Sequence, residues 1–280
     1  MIKKYNTYIK EDFSENVLRY SIFDWDENIL FMSSVIHLDR FVHGEWVSID
    51  IPTSQFNYYI SSEKTRMRNG NYHETFIEQS DTGPRGDKAF LLDTIKAIKN
   101  KDFGPSWEDF IYSLIDGRIF LIITARGHEP NSIRKAIEWI IYNYLSDDQL
   151  DEMKENLMRF HKLFGDSPSD IIEHYLDKCD YVGIMSDYFR YTFDVPDMKM
   201  SQLVGHGKSL AIKRFIDRIR EYSKKVGLPA KVGFSDDRSK TVRDVGEFLS
   251  GEKSWDVMNN MPIDYYIFDT SGKDKKKIRI

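Results

Sequence analysis

The fold is decided by the stretch Ser21-Ile22-Phe23-Asp24-Trp25-Asp26-Glu27-Asn28-Ile29-Leu30, near the start of the chain. Its apolar half predicts a buried strand from about residue 18 to 24, and two aspartates follow at the end of that strand. In open α/β sheets, ligands bind at the carboxyl ends of the strands. Two carboxylates at such an edge repel each other unless a cation, a shared proton or a basic group relieves them. Aspartates also close strands as ordinary turn residues, and that interpretation competes with the functional one.

The composition is that of a soluble globular protein. The chain has 280 residues, of which 30% are charged and 41% hydrophobic, and a net charge of −5 gives no global sign of a nucleic-acid or membrane binder. The single Cys179 excludes an internal disulfide and a cysteine metal cluster, and suits a reducing compartment. The N-terminus lacks the apolar core of a signal peptide, and no apolar stretch is long enough to span a bilayer. We therefore expect a cytoplasmic protein with no membrane partner, of open oligomeric state.

A β-hairpin is predicted directly after the first strand. Residues 35–42 and 46–51 read as its two arms, joined by a turn at His43-Gly44-Glu45. The hairpin begins an insertion at about 31–86, whose second part, 53–86, is polar and contains the turn Arg66-Met67-Arg68-Asn69-Gly70-Asn71. We expect the hairpin to lie over the carboxylates as a flap, without a large self-contained cap domain.

Helices and strands alternate through the rest of the chain. Apolar periodicity predicts helices at about 87–99, 106–117, 133–144, 208–224 and 240–249, and a charged helical insertion at about 146–178 with a break at 165–168. Ser106 and Asp109 resemble a capping box. Further strands are predicted at about 118–127, 180–186, 231–234 and 265–268. Residues 1–16 read as a lead-in helix or arm, and the basic residues from Lys273 to Arg279 as a solvated tail. The alternation predicts one α/β domain over 1–280, with a Rossmann-like parallel sheet flanked by helices.

In a parallel sheet all the strand ends carrying polar residues lie at one edge. The residues that this topology brings together are Asp24, Asp26, Thr124, Lys208, Asp236 and Asp237. Four carboxylates with one lysine and one hydroxyl are strongly anionic and need a hard cation. Because no cysteine and no paired histidine accompanies them, oxygen ligands indicate Mg²⁺ rather than Zn²⁺. A Mg²⁺ site beside a lysine and a hydroxyl donor is suited to handling phosphate, with a carboxylate to attack phosphorus.

Four segments in this order resemble the motifs of the haloacid dehalogenase-like phosphatase superfamily. They are Phe23-Asp24-Trp25-Asp26, Ile122-Ile123-Thr124, Lys208-Ser209-Leu210-Ala211-Ile212 and Gly233-Phe234-Ser235-Asp236-Asp237. The resemblance implies that Asp24 is the nucleophile, which forms an aspartyl-phosphate, and that Asp26 is the general acid and base. It implies that Thr124 and Lys208 hold the phosphoryl oxygens. The metal ligands would come from Asp24, Asp26, Asp236 and Asp237.

The chain departs from the family pattern after the second aspartate. Glu27-Asn28 stands where the family usually has Gly-Thr, so Asn28 replaces a hydroxyl with an amide, and we assign it to substrate binding. The segment Thr124-Ala125-Arg126 is similar to the second motif of several nucleotide and polynucleotide phosphatases, in which the arginine lies near substrate. Arg126 is therefore a candidate substrate contact, and a solvated residue after a strand is the alternative.

Other residues compete for some of these roles. Lys213 and Lys225 are alternatives to Lys208, which we prefer because it lies at the predicted start of its helix. The segment Gly207-Lys208-Ser209 is not a phosphate-binding P-loop, because Gln202 stands where that loop needs glycine. His37, His43 and His128 have no metal-ligand spacing and suit hairpin or surface positions. Trp25, Trp46 and Trp107 suit the core or a helix cap.

The sequence thus predicts a Mg²⁺-dependent phosphohydrolase that acts through an aspartyl-phosphate. A phosphate-binding protein with weak or no catalysis, and a phosphotransferase to an acceptor other than water, are the alternatives. Because the flap leaves the site open, and because Arg126 and the Arg66-Met67-Arg68 turn add positive charge, we expect a phosphate on a nucleotide or at a nucleic-acid end. Small sugar phosphates are the next choice.

Overall fold

The computed structural model describes residues 17–161, 168–195, 200–272 and 274–280. The strands are β1 (Leu18–Asp24), β2 (Val35–Val42), β3 (Glu45–Pro52), β4 (Thr65–Met67), β5 (Ile119–Thr124), β6 (Asp180–Gly183), β7 (Ala230–Asp236), β8 (Ile263–Asp269) and β9 (Lys276–Arg279). The helices are α1 (Phe56–Ile60), α2 (Tyr72–Thr75), α3 (Ala89–Asn100), α4 (Trp107–Ile115), α5 (Pro130–Asn143), α6 (Asp147–His161), α7 (Pro168–Leu176), α8 (Asp187–Thr192), α9 (Met200–Val226) and α10 (Ser239–Met258).

The main sheet has six strands in the order β6-β5-β1-β7-β8-β9. The first five are parallel, and only β9 runs antiparallel, against β8. The central strands β1 and β5 are buried nearly throughout, as their continuous apolar runs predict. The predicted α/β fold with a parallel sheet flanked by helices is therefore confirmed.

The core lies on both sides of this sheet. Trp25 is fully buried and packs against Phe90 of α3 and Phe110 of α4, with ring centroids 5.2 and 5.8 Å away. Trp107 is also buried, as predicted. Trp46 is not: it lies near the tip of the β2–β3 hairpin and is 41% exposed, so the prediction of a core or cap position was wrong for this residue.

The insertion after β1 contains more than a hairpin. The strands β2 and β3 pair as predicted, and the short strand β4 adds to the other edge of β2, giving a separate three-stranded antiparallel sheet. One face of this sheet packs its own small apolar cluster around Ile36, Leu38 and Ile51. Ion pairs then fasten the insertion to the main domain, among them Arg85 to Asp93 of α3 at 2.6 Å. The segment predicted as a hairpin flap is thus a small three-stranded sheet with its own apolar cluster.

Several local predictions were wrong. Ser106 precedes α4 without capping it, because its hydroxyl bonds to the Ser235 hydroxyl at 2.6 Å. The basic C-terminal end is not only a solvated tail, since Lys276–Arg279 forms the edge strand β9, although its side chains are exposed. The predicted lead-in at 1–16, the residues 165–167 of the predicted break, and Lys273 lie outside the described residues.

Candidate metal and phosphate site

The parallel register places the ends of β5, β1 and β7 side by side. Asp24 lies opposite Ile123, one residue before Thr124, and Phe23 lies opposite Ser235, one residue before Asp236. The three strand ends therefore present Asp24, Thr124 and Asp236 at the same edge of the sheet. All three side chains are buried, which means that their polar atoms must find partners within the protein or in a ligand.

Lys208 bridges two of these carboxylates. Its Nζ lies 2.7 Å from Asp24 Oδ1 and 2.6 Å from Asp236 Oδ2. Burial would lower the pKa of Lys208, but the two carboxylates outweigh it, and the pKa lies above its usual range. The ammonium is thus held charged between two buried carboxylates.

Lys208 reaches this place from the interior of a helix. Helix α9 begins at Met200, so Lys208 does not start it, and the reason given for preferring this lysine was wrong. A Cβ on the neighbouring Gly207 would overlap the side chain of Ile184, which follows β6. The glycine thus lets α9 approach the carboxyl edge of the sheet closely enough for Lys208 to contact it. The competing Lys213 instead pairs with Asp217 on its own helix, and Lys225 is exposed.

Asp24, Asp236 and Asp237 form a group that could hold a metal ion. Each offers a carboxylate oxygen within 4.8 Å of the others. Asp237 Oδ1 is buried without a hydrogen-bond partner. Burial and the neighbouring Asp236 raise the pKa of Asp237 to about 6. Burial likewise raises the pKa of Asp24 well above its usual range, although Lys208 opposes this.

These residues fit a hard divalent cation. A buried carboxylate oxygen without a partner is costly, and an added positive charge would satisfy it and lower the raised pKa values. All the donors are carboxylate oxygens, as Mg²⁺ or Ca²⁺ prefers. What the geometry supports is an acidic group able to hold a metal ion, whose identity the carboxylates alone do not fix.

Asp26 belongs to a second cluster beside the first. Its Oδ2 accepts a hydrogen bond from Thr124 Oγ1 at 2.6 Å, and its Oδ1 accepts one from Arg126 Nε at 2.7 Å. Burial would raise the pKa of Asp26, but Arg126 and Thr124 outweigh it and hold the pKa below its usual range. Asp26 is outside the group of possible metal ligands, so its predicted metal role stays a prediction.

Arg126 is a buried structural partner of this cluster. It is only 1% exposed, so the alternative of a solvated residue after β5 was wrong. Besides its contact with Asp26, its Nη1 donates to Ser34 Oγ at 2.6 Å, which ties the start of the insertion to the site. Arg126 therefore lies at the site, and its contact with substrate stays a prediction.

Asn28 holds the loop after β1 in place. Its Nδ2 donates to the backbone oxygens of Asp24 and Ser235, both at 3.1 Å, and its Oδ1 accepts from Thr270 Oγ1 at 2.9 Å. These bonds connect the loop after β1 to the ends of β1 and β7 and to the residue that follows β8. The amide thus has a positioning role that the sequence pattern did not indicate, and its predicted contact with substrate is untested.

Two charged residues at this edge were not predicted as site residues from the sequence. Glu27 has a positive φ of 64°, which is uncommon for a residue with a side chain, and its Oε1 is buried without a partner. Arg238 follows Asp237 directly, and its backbone N–H donates to Asp236 Oδ1 at 2.9 Å. The signal for Arg238 was its position immediately after the two aspartates.

The predicted histidine positions and cationic contacts have mixed outcomes. His37 lies in β2 and His43 in the hairpin turn, but His128 is fully buried and bonds through Nδ1 to Asp81 at 2.7 Å, so a surface position was wrong for it. Arg66 and Arg68, expected to face a polyanion, both pair with Asp39 inside the insertion.

Comparisons with protein-family models, curated proteins and solved structures found no match for this chain. Within the described ranges, none of the helices combines the length and the apolar character that crossing a bilayer requires.

Proposed function

We propose that this protein is a Mg²⁺-dependent phosphomonoester hydrolase that works through an aspartyl-phosphate on Asp24, as a phosphatase of the haloacid dehalogenase-like kind. One observation carries the proposal. Asp24, the candidate nucleophile at the end of β1, and Asp236 both contact Lys208, and the same two aspartates form a possible metal-binding group with Asp237. A carboxylate, a fixed cation and a hard-metal group within contact of one another are the parts that phosphoryl transfer needs.

In the proposed reaction, a carboxylate oxygen of Asp24 attacks phosphorus and the bond from phosphorus to the ester oxygen breaks. The leaving oxygen takes a proton from Asp26. Water then attacks the aspartyl-phosphate, its proton returns to Asp26, and inorganic phosphate leaves with Asp24 restored. Lys208, held charged at the site, would orient Asp24 and offset the negative charge of the phosphoryl oxygens. Asp24, Asp236 and Asp237 would hold the Mg²⁺, which supplies further charge stabilisation when bound.

The position of Asp26 suits a base better than an acid. Its contacts with Arg126 and Thr124 favour the ionised carboxylate, which can take a proton from water but must be protonated before it can give one. Esters with acidic leaving groups need little help from a proton donor, so we expect them to react fastest. We retain Asp26 as the acid and base of the proposal because it is a second carboxylate near the nucleophile, two residues after Asp24.

A phosphate-binding protein with weak catalysis is the second candidate. The same ionised state of Asp26 favours it, because proton donation to an ordinary alkyl leaving group would then be slow. Such a protein would bind Mg²⁺ and phosphate but would not turn over even an ester with an acidic leaving group.

For the substrate we propose a phosphate on a nucleotide or at a nucleic-acid end. The support comes from the hairpin tip, where Phe41 and Trp46 are each about 40% exposed with ring centroids 5.3 Å apart. The Arg66 guanidinium lies 4.1 Å from the Trp46 ring centroid. Proteins that bind single-stranded nucleic acid stack the bases on aromatic rings, with cation–π contributions from arginine. Comparing kcat/KM for a phosphorylated oligonucleotide, a mononucleotide and a sugar phosphate tests this, and a better sugar phosphate contradicts it.

The hydrolysis proposal is tested with p-nitrophenyl phosphate, whose leaving group is acidic. We expect Mg²⁺-dependent hydrolysis that stops on chelation and returns with Mg²⁺, and a loss of at least about 10³-fold in Asp24→Asn. Asp269→Asn is the matched control, because Asp269 ends β8, two strands from β1 in the same sheet, and is outside the possible metal group. No hydrolysis by the wild type, or full activity in Asp24→Asn, would overturn the proposal.

A further inference from the structure

Three cationic side chains lie at the carboxyl edge of the sheet, and two of them contact carboxylates directly. Lys208 is bonded to Asp24 and Asp236, and Arg126 to Asp26 and Ser34. The third is Arg238. Among the contacts of the described residues, its guanidinium has no hydrogen bond and no ion pair within 4.0 Å.

The backbone fixes where Arg238 stands. It is the residue before α10, two residues after the end of β7, and its N–H is bonded to a carboxylate of the possible metal group. It is only partly exposed, and it is close enough for its charge to act on Asp24, Glu27 and Asp237. A guanidinium withdrawn from water beside several carboxylates, yet paired with none, has donors that are free for a ligand.

The charge at the site indicates what that ligand is. Five carboxylates, those of Asp24, Asp26, Glu27, Asp236 and Asp237, face three cations there, so a metal ion would bring the site close to neutral before substrate binds. An arriving phosphate dianion then needs a donor that is not already committed. A guanidinium matches phosphate oxygens with two parallel hydrogen bonds, which a lysine cannot provide.

We propose that Arg238 is a substrate-binding residue, which donates hydrogen bonds to phosphate oxygens of the substrate at the mouth of the site. This inference rests on the proposed function, because it assumes that the site takes phosphate. It assigns phosphate binding to the one of these three cations whose guanidinium or ammonium is not already bonded to a carboxylate.

Inorganic phosphate and Mg²⁺ are the probes for the experiment, and calorimetric titration of the full chain is the measurement. In Arg238→Ala we expect phosphate affinity, measured with Mg²⁺ present, to fall about tenfold or more, with Arg238→Lys in between. Affinity for Mg²⁺ alone should stay the same or rise, since a nearby positive charge is gone. Arg243→Ala is the matched control: Arg243 lies in the first turns of α10, which Arg238 precedes, its side chain is 66% exposed, and phosphate binding should not change.

The outcomes separate the possible roles. If Arg238 only balances the carboxylates, Mg²⁺ affinity will rise in Arg238→Ala while phosphate affinity is unchanged, and the inference is wrong. Equal phosphate binding by Arg238→Ala and Arg243→Ala also overturns it. For p-nitrophenyl phosphate, KM should rise in Arg238→Ala more than kcat falls. If the wild type binds phosphate in an Arg238-dependent way but hydrolyses nothing, the proposed function has failed and this inference stands.

Discussion

Within the described part of the chain, we compare two buried clusters of carboxylates that are built very differently. At the first, Arg220 contacts Asp256 and Glu252, each at 2.7 Å, and Tyr265 donates to the other oxygen of Asp256 at 2.6 Å. At the second, the carboxyl edge of the sheet, Asp237 and Glu27 each keep a buried oxygen without a partner. We call them the Arg220 cluster and the Asp24 cluster.

The difference shows how structural and functional charge can be told apart. In the Arg220 cluster, one arginine and one hydroxyl satisfy both oxygens of the fully buried Asp256, so no ligand is needed. In the Asp24 cluster, two buried carboxylate oxygens have no partner, and the pKa of Asp237 is raised to about 6. An incompletely satisfied buried cluster is unfavourable for the protein alone and becomes favourable when a cation binds.

The largest stability effect is expected from Asp256→Asn in the Arg220 cluster. Removing this charge leaves Arg220 buried with fewer partners, and the free energy of unfolding should fall by about 3 kcal/mol. Urea denaturation measures this, and hydrolysis by the folded variant should match the wild type because Asp256 is outside the possible metal group. A variant as stable as the wild type would mean that the two clusters do not differ as described.

The same substitution in the Asp24 cluster should do the opposite. In Asp237→Asn we expect Mg²⁺ affinity to fall about tenfold, because a charged ligand is lost, which corresponds to about 1.4 kcal/mol. The unfolding free energy without metal should stay equal or rise by about 1 kcal/mol, because a repelling carboxylate is gone. Calorimetry and urea denaturation give the two numbers. A large loss of stability would show that Asp237 is structural.

The smallest effect is expected in the pH dependence of stability. It comes from Asp81 and His128, a hydrogen-bonded pair outside both clusters. Burial lowers the pKa of His128, although Asp81 opposes this. Burial would raise the pKa of Asp81, but hydrogen bonds from His128, Ser132 and the Glu129 N–H outweigh it and lower that pKa. The unfolded histidine binds its proton near pH 6.5, above the folded pKa, so His128 contributes stability that is present above about pH 6.5 and lost as the pH falls. Asp81 also contributes stability that is lost as the pH falls, but only below about pH 4.

Thermal unfolding from about pH 7.5 down to pH 5 measures this effect. One histidine can change stability by at most about 1.4 kcal/mol per pH unit. In His128→Asn the slope should flatten, whereas His43→Asn is the matched control, since His43 is exposed at a positive φ that asparagine adopts readily. Equal slopes in the two variants would contradict this assignment.

Much of the main sheet could be predicted from the sequence. The strands β1 and β5 are long apolar runs, and apolar residues in the helices beside them recur at helical spacing. A parallel sheet with an acid-bearing edge could therefore be predicted, although its strand order was not. The strand β4 was missed because three residues carry no periodicity, and β9 because its basic composition resembles a solvated tail. Both depend on pairing with a strand distant in sequence, which local patterns do not record.

The sequence predicted which residues lie at the candidate site better than it predicted which partners they contact. Asp24 and Asp236 could be placed because each ends a strand, and Asp237 because it follows Asp236 directly. The start of α9 could not be predicted, because Gly205 and Gly207 suggest a loop. In the structure they lie within the helix, and Gly207 allows α9 to pack closely against Ile184. Arg126 and Asn28 were expected at the substrate, and each turned out to make bonds between distant segments.

The central claim, that Asp24 is a nucleophile, is tested most directly by trapping the phosphorylated protein. The wild type would be mixed with Mg²⁺ and excess p-nitrophenyl phosphate, quenched in acid, digested and mapped by mass spectrometry. We predict one added phosphoryl group on the peptide that contains Asp24, absent after chelation and absent in Asp24→Asn. A phosphoryl group on another residue, or undiminished hydrolysis by Asp24→Asn, would contradict the claim.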